Sequence, residues 1–573
     1  MAPYQYRPIE SDNHIRILYI DPTDDDEQQL SGTLVHTDVT DQPVYDALSY
    51  FWGPPDLCRK ILIDGQELAV TVNLELALKR VRARRKYGSE VQEGPIPIWA
   101  DGVCVNQNDT QERSHQVRLM SQIYSNCQAG LIYLGEEADG SHDAYLFMES
   151  IRDCSIIDLA SIFDKTRVGD GVQRFITLLS RPWFRRIWVI QEFALPRKVR
   201  MICGSWDVAG EQVHVFSHVV QALAEAQHMK AVYNDWPTAN CNFLVDTRIQ
   251  LGRSLGPTAA ESPEAVPRSL PLFRLLSEAC AFEATDPRDH YFALLGLVSY
   301  GTRDGDLVAD YSKTLEQVEM EFARHFVDDG YGLAMLNSGC HVQERPSTYP
   351  SWLPNWAGRF PQPFGRIWNY HEHKQSDPKT VYMATLPGDG RTLLVECCRI
   401  EAVKAVGSPI VGGGKGLWNG DWLREMEKMT VESTIYPSGI DVEEAMWRSI
   451  IADRTVEQVR PARQDYGTLY QNLRQSPVLG NITFSAAVAT TGSVRFCITT
   501  EGFFGLVPSY AEVGDIIVTI KGDKVQAMYA VRKRVADDND DDVAYTWLGQ
   551  AYVHDLWKVK KYEELEWEVL RIK

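Results

Sequence analysis

The chain has 573 residues, more than one hydrophobic core holds when single domains mostly span about 100–150 residues, so about three domains are expected. Its net charge of -20 leaves no basic stripe to displace counterions from a phosphate backbone, which argues against nucleic acid as a partner. No run approaches the roughly 18 apolar residues of a membrane span, and the start, Met1 to Arg7, lacks the apolar centre of a signal peptide, so a cytoplasmic protein is expected. The 11 cysteines are scattered and form no Cys-x-x-Cys pair, which suits reduced thiols. Adjacent Cys397 and Cys398 read as buried packing.

Ile15 to Ile20 predicts a strand, and Asp24 to Glu27 a solvated acidic turn. Val44 to Trp52 is a β-prone apolar run stopped by Gly53, Pro54 and Pro55, the pattern of a buried strand that ends there. Ser49, Tyr50 and Trp52 then sit at or just past a carboxyl end. Ile61 to Gly65 predicts a hairpin, and Leu74 to Val81 a helix with Leu74, Ala77, Leu78 and Val81 on one side. Ile96 to Asp101 predicts a second strand that Pro97 pushes toward an edge or shortens at its start. Asp109 and Glu112 have capping-box spacing before a helix carrying Val117, Met120, Ile123 and Tyr124. Gly130 to Gly135 predicts a third strand. Strand, helix, strand in this order is most simply a parallel crossover, which brings Tyr50, Asp101, Asn106 and Gln107 to the edge where open α/β sheets place their ligand crevice.

Arg181 to Glu192 concentrates two tryptophans, three arginines and a carboxylate. Ser180 and Pro182 predict a helix start, with the helix running to about Ala194. Trp188 and Glu192 would stack on one face beside Arg185, either presenting a carboxylate at an indole wall or simply pairing it with that arginine. Val199 to Gly204 predicts a strand, Gln212 to Met229 a helix, and Gly252 to Pro271 a linker. Leu272 to Ala281 and Leu315 to Val327 predict helices, and Asp286 would cap one opening at Pro287. From about Thr380 the pattern turns to strands, at Leu393 to Val403, Phe484 to Val488, Val494 to Thr500, Asp515 to Ile520, Val525 to Val535 and Tyr545 to Val553. The acidic run Ala536 to Asp542 lacks the glycine and closing glutamate of a calcium loop, and Gly412 to Gly416 lacks the spacing of a phosphate loop, so both read as turns.

Tyr45-Asp-Ala47-Leu-Ser-Tyr50-Phe-Trp52-Gly, then Trp99-Ala-Asp101-Gly-Val-Cys104-Val-Asn106-Gln107 with Glu112-Arg113, Gln116-Val117, Met120, Ile123-Tyr124 and Leu134-Gly135, then Arg181, Trp183-Phe184, Arg186, Trp188 and Gln191-Glu192, resemble the three signature blocks of the fungal heterokaryon incompatibility (HET) domain. Thr285 to Gly296 and Pro350 to Trp356 resemble segments found downstream of such domains. The same positions resemble Toll/interleukin-receptor (TIR) domains, with Tyr45 to Tyr50 as the first strand and Trp188 to Glu192 as the Trp-Cys-x-x-Glu helix, Val189 standing for the cysteine. The resemblance implies a TIR-like α/β parallel-sheet HET domain at 44–205, with residues 1–43 packing on it as an extension. A helical region at 206–345 with linker 252–271 and a β-rich region at 346–573 would follow.

No zinc spacing, Gly-x-Ser-x-Gly elbow or Gly-x-Gly-x-x-Gly after a strand is present, so no metal site and no bound cofactor is expected. Cys104 near His115 is formally a nucleophile pair, although a cysteine at an apolar strand end is normally buried packing. The remaining inventory is carboxylates and aromatics. The resemblance implies an effector of non-self recognition and regulated cell death, akin to innate immunity, that hydrolyses NAD as substrate with Glu192 as the catalytic carboxylate. Tyr50, Trp52, Asp101, Asn106, Arg186 and Trp188 would line the substrate site, and TIR-like enzymes further imply self-association on activation. Two alternatives stay open: a non-enzymatic interaction module with an unknown protein partner, and the same scaffold adapted to another small-molecule reaction.

Overall fold

A computed structural model of the protein describes residues 2–23, 25, 27–54, 56–87, 94–151, 166–210, 212, 236–252, 271–298, 307–338, 349–357, 384–388, 390–410, 421–455, 459–475, 488, 494–521, 526–534 and 543–573. The chain divides into two compact units, Met1–Thr314 and Leu315–Lys573. No helix among the described residues is long and apolar enough to cross a membrane.

The first unit is built on one mixed sheet of β1 (His14–Ile20), β2 (Ser31–Asp38), β3 (Asp46–Tyr50), β4 (Arg59–Ile63), β5 (Gln66–Val70), β6 (Ile96–Trp99), β7 (Gly130–Tyr133), β8 (Val199–Cys203) and β9 (Trp206–Ala209), in the order β5-β4-β2-β1-β6-β3-β7-β8-β9. Its centre is parallel, with β3 between β6 and β7 and β7 beside β8. Antiparallel pairs flank it at β1–β2, β1–β6, β4–β5 and β8–β9. The expected parallel sheet is thus its middle, with one further parallel pair, β2–β4, toward the β5 edge. The turns Asp64-Gly65 and Gly204-Ser205 are too short for a crossover and force antiparallel hairpins. β7 is buried along its whole length, as a strand covered on both faces should be. β6 is an interior strand despite Pro97, because its pairing with β3 starts only at Ile98, past the residue that lacks an N–H.

Helix α1 (Val72–Tyr87) follows β5, the one-turn α2 (Asp101–Cys104) follows β6, and α3 (Thr110–Asn126) joins β6 to β7. Asp109 caps α3 by accepting from the N–H groups of Gln111 at 2.9 Å and Glu112 at 3.0 Å. The reciprocal half of the capping box does not form. Glu112 instead reaches Arg16 at 2.6 and 2.9 Å and accepts the Asn106 N–H at 2.7 Å. Arg16 is 0% exposed, and a buried guanidinium claims a carboxylate more strongly than a helix end does.

Helices α4 (Ser141–Ile151) and α5 (Thr166–Leu179) precede the aromatic block, which is not the single helix expected. A short 3-10 turn spans Pro182–Arg185, Arg186 is extended with φ -71° and ψ 134°, and α6 (Val189–Ala194) follows. The break exists because Arg186 forms a parallel bridge with Glu283, and the Ile187 N–H donates to the Glu283 carbonyl at 3.0 Å. Then come α7 (Trp236–Gln250), α8 (Leu272–Glu278) and α9 (Asp289–Leu295). The helix expected at 212–229 and the linker at 252–271 fall almost wholly outside the described residues.

The second unit opens with helices Leu315–Asp328 and Gly332–Ser338 and continues into β10 (Ala384–Thr385), β11 (Leu393–Ile410), β12 (Val494–Thr499), β13 (Phe504–Pro508), β14 (Ile516–Ile520), β15 (Met528–Lys533), β16 (Ala544–Val553) and β17 (Glu568–Ile572). The path β11-β12-β13-β16-β15-β14 returns to β11, closing six strands into an antiparallel ring, while β17 pairs with β11 and β16. Closure removes exposed edges. Helices Asp421–Thr430, Val442–Ile450 and Asp465–Gln475 interrupt what reads in sequence as a strand region. The strand expected at 484–488 and the turns at 412–416 and 536–542 lie, but for Val488, outside the described residues.

Candidate functional site

The carboxyl ends of β3 and β6 and the turn before α6 converge on Glu192. Ser49, the penultimate residue of β3, donates its hydroxyl proton to Glu192 Oε2 and accepts the indole N–H of Trp183 at 2.6 Å. Arg186 donates to the Tyr50 carbonyl and stands 3.9 Å from Glu192 Oε2. The carboxylate is therefore held by a hydroxyl and a guanidinium, and its expected partner Arg185 is replaced by the neighbour that the extended break turns inward.

Past β3, the chain swings out through Gly53, whose φ of +74° is left-handed backbone that glycine adopts without strain. Asn73 holds this turn by donating to the Phe51 carbonyl at 2.9 Å. Trp52 stacks on Tyr50 with ring centroids 6.4 Å apart and donates its indole N–H to Asp101 Oδ2 at 2.9 Å. Asp101 also accepts the Gly102 N–H at 2.8 Å and bonds the Tyr50 hydroxyl. A side chain at Gly102 would meet that hydroxyl at 2.5 Å, so glycine permits the close approach.

These groups line a cleft of about 940 Å³. Of the residues proposed from the sequence, Trp52, Asp101, Arg186, Trp188 and Glu192 border it, while Tyr50 lies buried behind Trp52. Asn106 does not reach the cleft; its side chain accepts the Asn108 N–H at 3.3 Å, and Gln107 borders the cleft instead. One face of α3 contributes Arg113, Gln116, Val117 and Met120. The far wall, Glu283 to Asp289 with Tyr311, escaped the sequence reading, which took Asp286 only as a helix cap. Asp286 does bond the Arg288 N–H at 3.0 Å, but it also grips the Arg288 guanidinium at 2.9 and 2.6 Å. Asp289 accepts from Tyr311 at 2.5 Å and from the Trp188 indole. The clue in the sequence was the acidic and basic cluster Asp286, Arg288, Asp289, whose spacing resembles an ordinary helix start.

Residues 45–192 match the family model of the Heterokaryon incompatibility protein (HET). The chain carries a HET domain. It is also 27% identical over 412 residues to Heterokaryon incompatibility protein 6, OR allele, of Neurospora crassa, a match covering 62% of this chain and 59% of that protein. No solved structure matches the chain.

Within the HET domain the signature residues divide into holders and cleft residues. Arg181 donates to the carbonyls of Leu134 at 2.8 Å, Glu136 at 3.0 Å and Ala138 at 3.2 Å, fixing the loop after β7. Tyr45 and Tyr124 tie α3 to β3 through the carbonyls of Ile123 at 2.7 Å and Leu48 at 3.2 Å. Gln191 anchors α9 by donating to the Ala293 carbonyl at 2.7 Å. Cys104 is buried, its thiol pushed up to about 12 by desolvation, and His115 bonds the Asp12 carbonyl at 2.7 Å, so the two form no nucleophile pair.

Burial sets the electrostatics. Desolvation raises the Glu192 carboxyl above the usual carboxylate range, opposed by Arg186 and the Ser49 hydroxyl. Desolvation likewise raises Asp101, against Arg186 and the Trp52 indole, and Asp289, against Tyr311 and Trp188. Beside the cleft, burial alone pushes His290 on α9 from 6.5 down to about 4. The unfolded chain then binds a proton that the folded one does not as pH falls from 6.5 to about 4, so stability is lost through that window. His290→Gln is expected to flatten this loss by up to about 3 kcal/mol. Thermal midpoints against pH for both proteins check it, and parallel curves would contradict it.

Proposed function

We propose that the cleft binds NAD and that the protein is an effector of fungal non-self recognition and regulated cell death that hydrolyses it. The observation that carries this reading is Glu192, a carboxylate 2% exposed, at a cleft bordered by the indoles of Trp52 and Trp188. The oxidised nicotinamide ring is cationic and aromatic, which suits indole faces and flanking carboxylates. In hydrolysis the bond between ribose C1′ and the ring nitrogen breaks, its electron pair leaves with nicotinamide, and water adds to C1′ while losing a proton. The oxocarbenium character that builds on the sugar is stabilised by the Glu192 carboxylate, the logic of glycoside cleavage. No metal or redox partner is consumed. Arg186 and Ser49 keep the carboxylate oriented before the substrate arrives.

The TIR-like reading of the fold is supported by the parallel order β6-β3-β7-β8, with the site at the carboxyl ends of the strands. The name of the Neurospora crassa relative supports the incompatibility role. A second reading, a non-enzymatic interaction module, draws on the same burial: Ser49 and Arg186 already satisfy much of Glu192. Purified protein incubated with NAD over a wide range of protein concentration separates the two. Release of nicotinamide and ADP-ribose, with specific activity rising with concentration, is expected of an enzyme activated by self-association. Absence of release at every concentration favours the module.

A further inference from the structure

The cleft holds several charged side chains, and nearly all are committed. Asp286 is matched by Arg288 at 2.6 Å, Glu192 by Arg186 at 3.9 Å, Asp101 by Trp52 at 2.9 Å, and Asp289 by Tyr311 at 2.5 Å. Arg288 spends its remaining donors on the carbonyls of Tyr311 at 2.8 Å and Lys313 at 2.7 Å. Arg113 differs. It lines the cleft from the first turns of α3, its guanidinium lies 5.2 Å from the centre of the Tyr311 ring, and its side chain makes no hydrogen bond or ion pair with any described residue.

Tyr311 is a firm backing for it. The hydroxyl is fixed to Asp289 at 2.5 Å, the ring meets Phe292 edge-on at 5.0 Å, and the Arg288 guanidinium approaches the same ring at 5.3 Å. A guanidinium resting on an aromatic ring keeps its in-plane N–H fork available, which is the geometry that grips a phosphate through two parallel hydrogen bonds. We infer that Arg113, backed by Tyr311, is the anion-docking point of the cleft and selects ligands that carry a phosphate group. Arg186, the arginine that the sequence places in the substrate site, stays with Glu192 and the Tyr50 carbonyl. Tyr311 lies beyond the matched HET residues 45–192, so the segment after the domain would contribute to ligand choice.

The choice of NAD as the phosphate-bearing ligand rests on the proposed function, whereas anion docking does not. The test therefore measures binding and not turnover. Calorimetry on the full chain carrying Glu192→Gln would use three probes: NAD, inorganic pyrophosphate, and nicotinamide riboside, which keeps the base and sugar and lacks the phosphates. Adding Arg113→Gln is expected to weaken NAD and pyrophosphate at least about tenfold and leave the riboside unchanged. Should that variant unfold, Arg113→Lys decides, since it keeps the charge and loses the fork: weaker phosphate ligands with an unchanged riboside support the inference. Pyrophosphate binding that depends on Arg113 without any NAD cleavage by the unmodified protein would retain the docking point and remove the NAD reading. Parent-like affinity for pyrophosphate in a folded Arg113 variant would overturn it, as would failure of the parent to bind pyrophosphate.

Discussion

Glu112→Ala is expected to lower the unfolding free energy by about 3–5 kcal/mol, because removing one member of a buried ion pair leaves the other charged and unmatched. Arg16 is 0% exposed and its guanidinium is held by both Glu112 oxygens, at 2.6 and 2.9 Å. The carbonyls of Arg7 at 2.6 Å and Cys104 at 3.1 Å accept its other N–H groups but carry no compensating charge. Glu112 also takes the Asn106 N–H at 2.7 Å, so the substitution releases the loop between β6 and α3 together with the β1 contact. Denaturant titration of the two proteins gives the difference directly. A loss below about 1 kcal/mol would mean that the pair behaves as an exposed one.

Glu192→Gln is expected to cut NAD turnover at least about a thousandfold while leaving the fold nearly as stable. The isosteric amide can still accept the Ser49 proton, so the bond pattern around Trp183 survives. What vanishes is the negative charge. Desolvation raises the folded carboxyl above its unfolded value, so its favourable contribution is present below the unfolded value and lost as pH rises through the folded one. At neutral pH the ionised carboxylate is held at a cost that glutamine avoids. Arg186 loses a neighbour at 3.9 Å but keeps the Tyr50 carbonyl and the field of Asp101. A carboxylate retained chiefly to support the fold would show the reverse, a depressed ionisation and a large loss of stability on replacement.

The three aromatic blocks were legible because their chemistry is local. Apolar β3 stopped by Gly53 and Pro54, Asp109 ahead of α3, and the tryptophan-rich segment each carry their own signal in a few residues. Arg186 was not legible as a break, because its extended backbone answers to Glu283, a partner far along the chain. The same distance hid the second wall of the cleft: Asp286, Asp289 and Tyr311 each have a local explanation and acquire a shared surface only when α9 packs on α6 through Gln191. Asn106 shows the opposite failure. It sits at the right strand end, yet a one-residue difference in direction sends its amide to Asn108 and lets Gln107 reach the cleft. In the second unit, Asp441 accepts from Glu443 at 2.9 Å and Glu444 at 3.1 Å. That helix start was present in the sequence and overlooked among strand signals.

The role of the Glu192 carboxylate in the proposed chemistry of the cleft is open to one direct measurement. It is tested by following NAD loss and thermal unfolding side by side on the unmodified protein and on Glu192→Gln, at matched high concentration and neutral pH. Nicotinamide release by the unmodified protein, a fall of at least about a thousandfold in the variant, and midpoints that agree closely are expected. Undiminished cleavage by a folded Glu192→Gln protein would contradict it.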